Sequence, residues 1–157
     1  MPSVLFVCTA NICRSPMASA IFKSLLSEKG LAGGWRVESA GTWAVEGLPA
    51  ALNSQQTVSS LYKIEIQSHR SRCVDETVLS SFNLILTMEK GHKEALKIEF
   101  PTLAERVFLI TEMVGEDTDI KDPIGGPIFE YRQTARELER ILTGGFESIR
   151  KLASHSD

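Results

Sequence analysis

The sequence predicts an α/β fold: a three-layer sandwich with a central four-stranded parallel sheet, helices on both faces, and an anion-binding loop after the first strand. Two observations carry this. Short, apolar, β-branched runs recur at Ser3–Val7, Trp35–Ala40, Asn83–Thr87 and Arg106–Ile110, separated by stretches with helical 3–4 spacing, which is the signature of βαβ units. The first run also delivers Cys8 into a tight segment at the carboxyl end of a strand, where open sheets bind their ligands.

The elements follow in order. Ser3–Val7 is apolar throughout, as expected of a strand covered on both faces. Ser15 and Pro16 read as an N-cap and first helical residue. Met17, Ile21 and Leu25, flanked by Ala18 and Phe22, form a buried helix face that Gly30 and the Gly33-Gly34 pair close. Trp35–Ala40 is a second strand ended by Gly41, and Ala50–Tyr62 a helix. Asn83–Thr87 is a third strand and Met88–Ile98 a helix. Thr102–Glu105 resembles a short capping box before a fourth strand at Arg106–Ile110. Glu116–Pro127, rich in Asp, Pro and Gly, is a loop. From Ile128 a helical stripe runs through Tyr131, Ala135, Leu138 and Leu142, and on through Phe146, Ile149 and Leu152 past a weak point at Gly144-Gly145.

A chain of 157 residues fits one domain, here 1–157, and can bury a substantial core. The net charge of −3 and the lack of any basic run leave no footprint for nucleic acid or an anionic membrane. No apolar run approaches the roughly 20 residues a membrane helix needs. The segment Met1-Pro2-Ser3 leads straight into a strand without a secretory pattern. Three cysteines, Cys8, Cys13 and Cys73, are an odd number without metal-ligand spacing, which speaks against a disulfide framework. A reducing, cytoplasmic setting is the expectation.

The segment Cys8–Pro16 carries the chemistry. A free thiol is weakly ionised at neutral pH, but converging backbone N–H groups and a helix N-terminus favour negative charge. Arg14 adds a permanent, planar, two-pronged donor. In a first helical turn that cation opposes the helix dipole, so an anionic ligand explains its placement. A sulfur nucleophile beneath a tetrahedral dianion points to attack on phosphorus, whose charge spreads over three equatorial oxygens. Ser15, besides capping, is placed to donate to the sulfur. Asn11 is one of the few non-glycine residues that tolerates the left-handed turn such a loop needs. Cys13 is either structural or a disulfide partner for Cys8 under oxidation. A leaving group needs a proton, and Asp122, fixed in extended geometry by Pro123, is the candidate acid. Asp117 and Asp119 compete with it and read as solvated loop charges.

These residues resemble those of the low-molecular-weight protein tyrosine phosphatases over nearly the whole chain. The matching stretches are Cys8–Pro16, Ser39–Thr42, His69–Arg72, Leu84–Met88 and Asp122-Pro123. The resemblance implies a phosphate-binding loop made of Thr9, Ala10, Asn11, Ile12, Cys13 and Ser15. It implies nucleophilic Cys8, a phosphate clamp at Arg14, and Asp122 as acid and then base, with no metal or cofactor. It further implies a supporting network of Asn11, Ser15, Ser39 and His69, and an aromatic wall at Trp43. The partners it implies are a phosphotyrosine protein or peptide and inorganic phosphate, as product and inhibitor.

Departures from the family pattern bear on substrate. Ala10 stands where glycine is usual, and Ile124-Gly125 replaces the tyrosines often found after Asp-Pro. The Asp-Pro-x-Gly-Gly pattern also resembles the bacterial protein-arginine phosphatase branch, which typically carries threonine where this chain has Ile12. Isoleucine adds bulk and removes a hydroxyl that could orient attack on a P–N bond, which favours phosphotyrosine over phosphoarginine. A thiol-coupled arsenate reductase would need two further cysteines beyond the loop, and only Cys73 is there. A cysteine protease would leave the arginine loop unexplained. A non-catalytic phosphate-binding module would not require both Cys8 and Asp122.

Overall fold

The computed structural model describes residues 1–154. Four strands, β1 (Ser3–Cys8), β2 (Arg36–Gly41), β3 (Leu84–Thr87) and β4 (Val107–Leu109), form one parallel sheet in the order β2-β1-β3-β4. The helices are α1 (Arg14–Glu28), α2 (Leu52–Tyr62), α3 (Glu76–Ser80), α4 (Lys90–Glu99), α5 (Ile128–Gly144) and α6 (Phe146–Ser154). Because β1 has β2 on one side and β3 on the other, the strand order reverses at β1, and the loop after Cys8 lies at that switch point.

Both faces of β1 are covered, as its apolar run requires. Val4, Phe6 and Cys8 point into a core shared with Met17 and Phe22 of α1, Leu138 of α5 and Ile149 of α6. Leu5 and Val7 point the other way, against Leu79, Ile85, Leu96 and Val107. Two apolar layers therefore flank the sheet, and the strand ends beneath the loop are rigid.

Several boundaries moved for physical reasons. The second strand begins at Arg36, the residue paired with Ser3 at the start of β1, while Trp35 before it packs edge-on against Phe22 with centroids 5.3 Å apart. The third and fourth strands each begin one residue later than expected, at Leu84 and Val107. No capping box forms at Thr102. Pro101 takes the first position of a 3₁₀ turn, Pro101–Arg106, so Thr102 lies inside the turn, not at its flank. A short helix, α3, was not anticipated; the Asp75 carboxylate caps it by accepting from the Val78 N–H at 2.7 Å.

The C-terminal stripe is two helices, not one. Gly145 breaks it where the backbone meets a neighbouring turn: a Cβ there would lie 2.7 Å from Met113 Cβ and 2.8 Å from its carbonyl oxygen. The weak point at Gly144-Gly145 is thus a bend imposed by packing. Among the described residues, no helix is long and apolar enough to cross a membrane.

Candidate active site

Residues 9–13 form the loop between β1, which ends at Cys8, and α1, which begins at Arg14. Its turn is made at Asn11, whose φ of 60° is left-handed, a region that Asn tolerates better than most side chains. Ala10 is not in that region, so its methyl replaces the family's glycine without backbone strain. Gly41 at the end of β2 is obligatory: a Cβ there would overlap the Thr9 carbonyl oxygen and lie 3.1 Å from Asn11 N. The loop is also tied to the β2 exit, where Thr42 N–H donates to Cys8 O and Trp43 N–H to Thr9 O, both at 2.9 Å.

Asn11 organises the loop from inside. Its side chain is wholly buried, and Oδ1 accepts from the Arg72 backbone N–H at 3.0 Å, which fixes the amide's orientation. Nδ2 then donates to Ser15 Oγ at 2.8 Å and to Ser39 Oγ at 2.9 Å. The Asn11 carbonyl accepts from His69 Nε2 at 2.7 Å. Burial, together with the nearby charges of Arg70, Lys23 and Arg72, holds His69 below its ordinary range against the opposing pull of that carbonyl, so the ring is a neutral donor. Structure thus brings Asn11, Ser15, Ser39 and His69 into one network, and adds Arg72, whose Nε donates to Ser39 O at 3.1 Å.

Ser15 does not cap α1. The helix starts two residues earlier than expected, at Arg14; its N-cap is Cys13, and no side chain caps it. Having accepted from Asn11, the Ser15 hydroxyl keeps its own proton for Cys8 Sγ at 3.0 Å or Ala40 O at 3.4 Å. With no side-chain cap, the N–H groups of the first turn are able to bind an anion.

Arg14 is 1% exposed and its guanidinium is held along one edge. Nη1 donates to Glu89 Oε2 at 2.6 Å and to Ile120 O at 2.7 Å. Nη2 makes only long contacts, 3.5 Å each, to Thr9 Oγ1 and Asp122 Oδ2. Nε is buried without any partner among the described residues. A buried, always-charged N–H is costly to leave unmade. The Nε–Nη2 edge thus presents two parallel N–H donors, a geometry that can match two oxygens of one oxyanion.

Asp122 stands beside this edge on a loop anchored at both ends. Ile120 N–H donates to Met88 O at 2.8 Å, and Asp122 Oδ1 accepts from Ile124 N–H at 3.1 Å. A turn follows, closed by Gly126 N–H to Pro123 O, with Gly125 at φ 79° in the position that demands it. Asp119 is committed elsewhere, accepting from the Lys90 N–H at the start of α4, and Asp117 is 86% exposed.

The remaining loop residues are placed as follows. Ile12 is half-buried and its carbonyl accepts from Ala51 N–H. Cys13 is buried, with its sulfur 3.7 Å from Tyr131 Oη; burial pushes its thiol up, against the lowering effect of that hydroxyl. It is a free cysteine, as are Cys8 and Cys73. Trp43 is 82% exposed, a surface ring. Reasoning from sequence missed Glu89 and His92, which meet the loop from α4 and its N-terminal flank. Their only local signal is an acid and a histidine at i, i+3 spacing just past the third strand.

Comparison with known proteins matches residues 3–154 to the family described as low molecular weight phosphotyrosine protein phosphatase. A protein-arginine-phosphatase of Bacillus subtilis is 37% identical over 150 residues, covering 94% of this chain and 97% of that one. The low molecular weight protein-tyrosine-phosphatase PtpB of Staphylococcus haemolyticus is 35% identical, covering 88% and 94%. Among solved structures, a low molecular weight protein tyrosine phosphatase from T. tengcongensis superposes with a TM-score of 0.89 at 38% identity, covering 94% and 99%. A YwlE arginine phosphatase, a Cys-to-Ser mutant with a phosphorylated active-site serine, superposes with a TM-score of 0.88 at 34% identity, covering 95% and 96%.

Proposed function

The chain belongs to the low molecular weight protein tyrosine phosphatase family and is a phosphoric monoester hydrolase, and we propose that it hydrolyses phosphotyrosine in proteins or peptides through a cysteinyl-phosphate. In this scheme the Cys8 thiolate attacks phosphorus in line. The S–P bond forms as the P–O bond to the phenol breaks, and Asp122 gives its proton to the departing oxygen. Asp122, now a carboxylate, then takes a proton from water that attacks phosphorus and breaks the S–P bond. Inorganic phosphate leaves, the Cys8 thiolate is restored, and accumulated phosphate inhibits by occupying the same loop.

The observation that carries this reading is the orphaned, buried Nε of Arg14. It is paired with an Nη2 that has no short bond, on the edge that faces Asp122. Two parallel donors there suit two phosphoryl oxygens and strengthen as charge develops in the transition state. The Ser15 hydroxyl 3.0 Å from Cys8 Sγ supports a stabilised thiolate. The relative whose active-site serine, in a Cys-to-Ser mutant, was found phosphorylated supports a covalent route on this scaffold.

Ile12 favours phosphotyrosine: it lines the loop with an apolar, half-buried side chain and offers no hydroxyl for a P–N substrate. Exposed Trp43 provides a face for a phenyl ring. A second reading, phosphoarginine, is favoured by the Bacillus relative at 37% identity. The test is kcat/KM on matched phosphotyrosine and phosphoarginine peptides, for the natural protein and Ile12→Thr. A preference for phosphotyrosine that narrows or reverses in Ile12→Thr is the expected result. Preference of the natural protein for phosphoarginine would overturn the choice.

A further inference from the structure

One histidine beside the loop has no part in the chemistry above. His92, near the start of α4, is buried, and its Nε2 lies 2.8 Å from Thr9 Oγ1. Its Nδ1 is also buried and has no hydrogen-bond partner among the described residues. That orphan decides the tautomer. With the proton on Nδ1, a buried N–H would go unsatisfied; with it on Nε2, only a lone pair is left bare, which is the cheaper state. Burial holds the imidazolium form below its ordinary range, helped by the Arg14 charge and opposed by Glu89, whose Oε2 is 3.9 Å away. The ring is therefore neutral and donates from Nε2 to Thr9.

Thr9 Oγ1 then accepts twice, from His92 at 2.8 Å and more weakly from Arg14 Nη2 at 3.5 Å. With both lone pairs facing donors, its own O–H hydrogen has no acceptor among the described residues. The same Arg14 Nη2 also faces Asp122, so Thr9 Oγ1 sits beside the edge of the guanidinium where an oxyanion would be gripped. We propose that the Thr9 hydroxyl donates to the phosphoryl group held by Arg14, and that His92 is the positioning residue that turns it there. This rests on the phosphatase reading. His92 acts through Thr9 and does not itself touch substrate.

The test uses Thr9→Val, Thr9→Ser, His92→Leu, His92→Gln and the double variant Thr9→Val/His92→Leu. Three quantities are measured on each: the dissociation constant for tungstate, a tetrahedral dianion; kcat/KM with an aryl phosphate; and the melting temperature. Losing one hydrogen bond to an oxyanion should weaken tungstate binding and kcat/KM by about tenfold or more in Thr9→Val and His92→Leu. Thr9→Ser keeps the hydroxyl, and Gln at position 92 keeps an N–H donor, so both should stay within about threefold of the natural protein. The double variant should be no worse than Thr9→Val, because the two residues act in series. Unchanged tungstate affinity in Thr9→Val, failure of His92→Gln to recover activity, or an additive double variant would overturn the proposal. So would a lowered melting temperature in His92→Leu with unchanged anion affinity, the behaviour of a plain tether. If tungstate binding depends on Thr9 and His92 as described but no monoester is hydrolysed, the phosphatase reading fails and the Thr9–His92 pair stands.

Discussion

Asn11→Ala removes the residue that holds the loop together, and its cost can be built from the geometry. Three side-chain hydrogen bonds disappear, at 2.8, 2.9 and 3.0 Å, to Ser15, Ser39 and the Arg72 backbone. At about 1 kcal/mol each, net of solvent, they contribute about 3 kcal/mol. Alanine at a φ of 60° adds about 1 kcal/mol of backbone strain. Water reaching the half-buried Ser39 and Arg72 returns part of this, so the expected loss is about 3 kcal/mol. Asn11→Gly loses the same bonds but relieves the strain, and should be about 1 kcal/mol more stable than Asn11→Ala. Urea unfolding, extrapolated linearly, measures both. With the loop loosened, kcat/KM should fall by about a hundredfold even where the variant is folded. A loss below about 1 kcal/mol in Asn11→Ala, or equal stability of the two variants, would refute this assignment of the network's strength.

Other outcomes follow from the same geometry. Asp122→Ala should lower kcat by roughly 10²–10⁴-fold on a substrate with a poor leaving group and by less on an activated aryl phosphate; equal losses would remove Asp122 as the acid. Gly145→Ala should destabilise by about 1–3 kcal/mol in thermal or urea unfolding, because its methyl meets Met113 at 2.7 Å; a neutral result would show that the bend between α5 and α6 is not set by that contact. His69 and His92 are both held below 6.5, chiefly by burial, so the unfolded chain takes up their protons first. Their contribution to stability is full above about pH 6.5 and is lost as pH falls through the window below it. Asn in place of His69 should flatten the fall in unfolding free energy between about pH 6.5 and 5 by up to about 1.4 kcal/mol per pH unit; an unchanged slope would contradict the buried, neutral ring. Glu38 and Glu112, opposed by burial but held low by their arginine and lysine partners, act below 4.5 and leave that window clear.

What could be read from the chain depended on whether the cause was local. The β1 run was visible because a strand buried on both faces must be apolar at every position, and Val4 to Val7 are. The Cys8–Arg14 spacing and Asp122-Pro123 stand out because each is a short-range pattern in the chain. Ser15 misled because a serine before Pro16 looks the same whether its hydroxyl caps a helix or turns back toward a sulfur seven positions earlier. Glu89 and His92 stayed hidden because their partners, Arg14 and Thr9, are 75 and 83 positions away. The break at Gly145 is likewise a contact with Met113, and no periodicity in the C-terminal stripe reports it.

The sulfur at position 8 can be interrogated by trapping. Asp122→Ala, mixed with an activated aryl phosphate and quenched in acid, should carry one phosphoryl group on the peptide that contains Cys8, with a phosphorus resonance typical of a thiophosphate monoester. Cys8→Ala treated the same way should carry none and release no phosphate. Phosphorus found on another side chain, or phosphate release by Cys8→Ala at the rate of the natural protein, would contradict nucleophilic attack by Cys8.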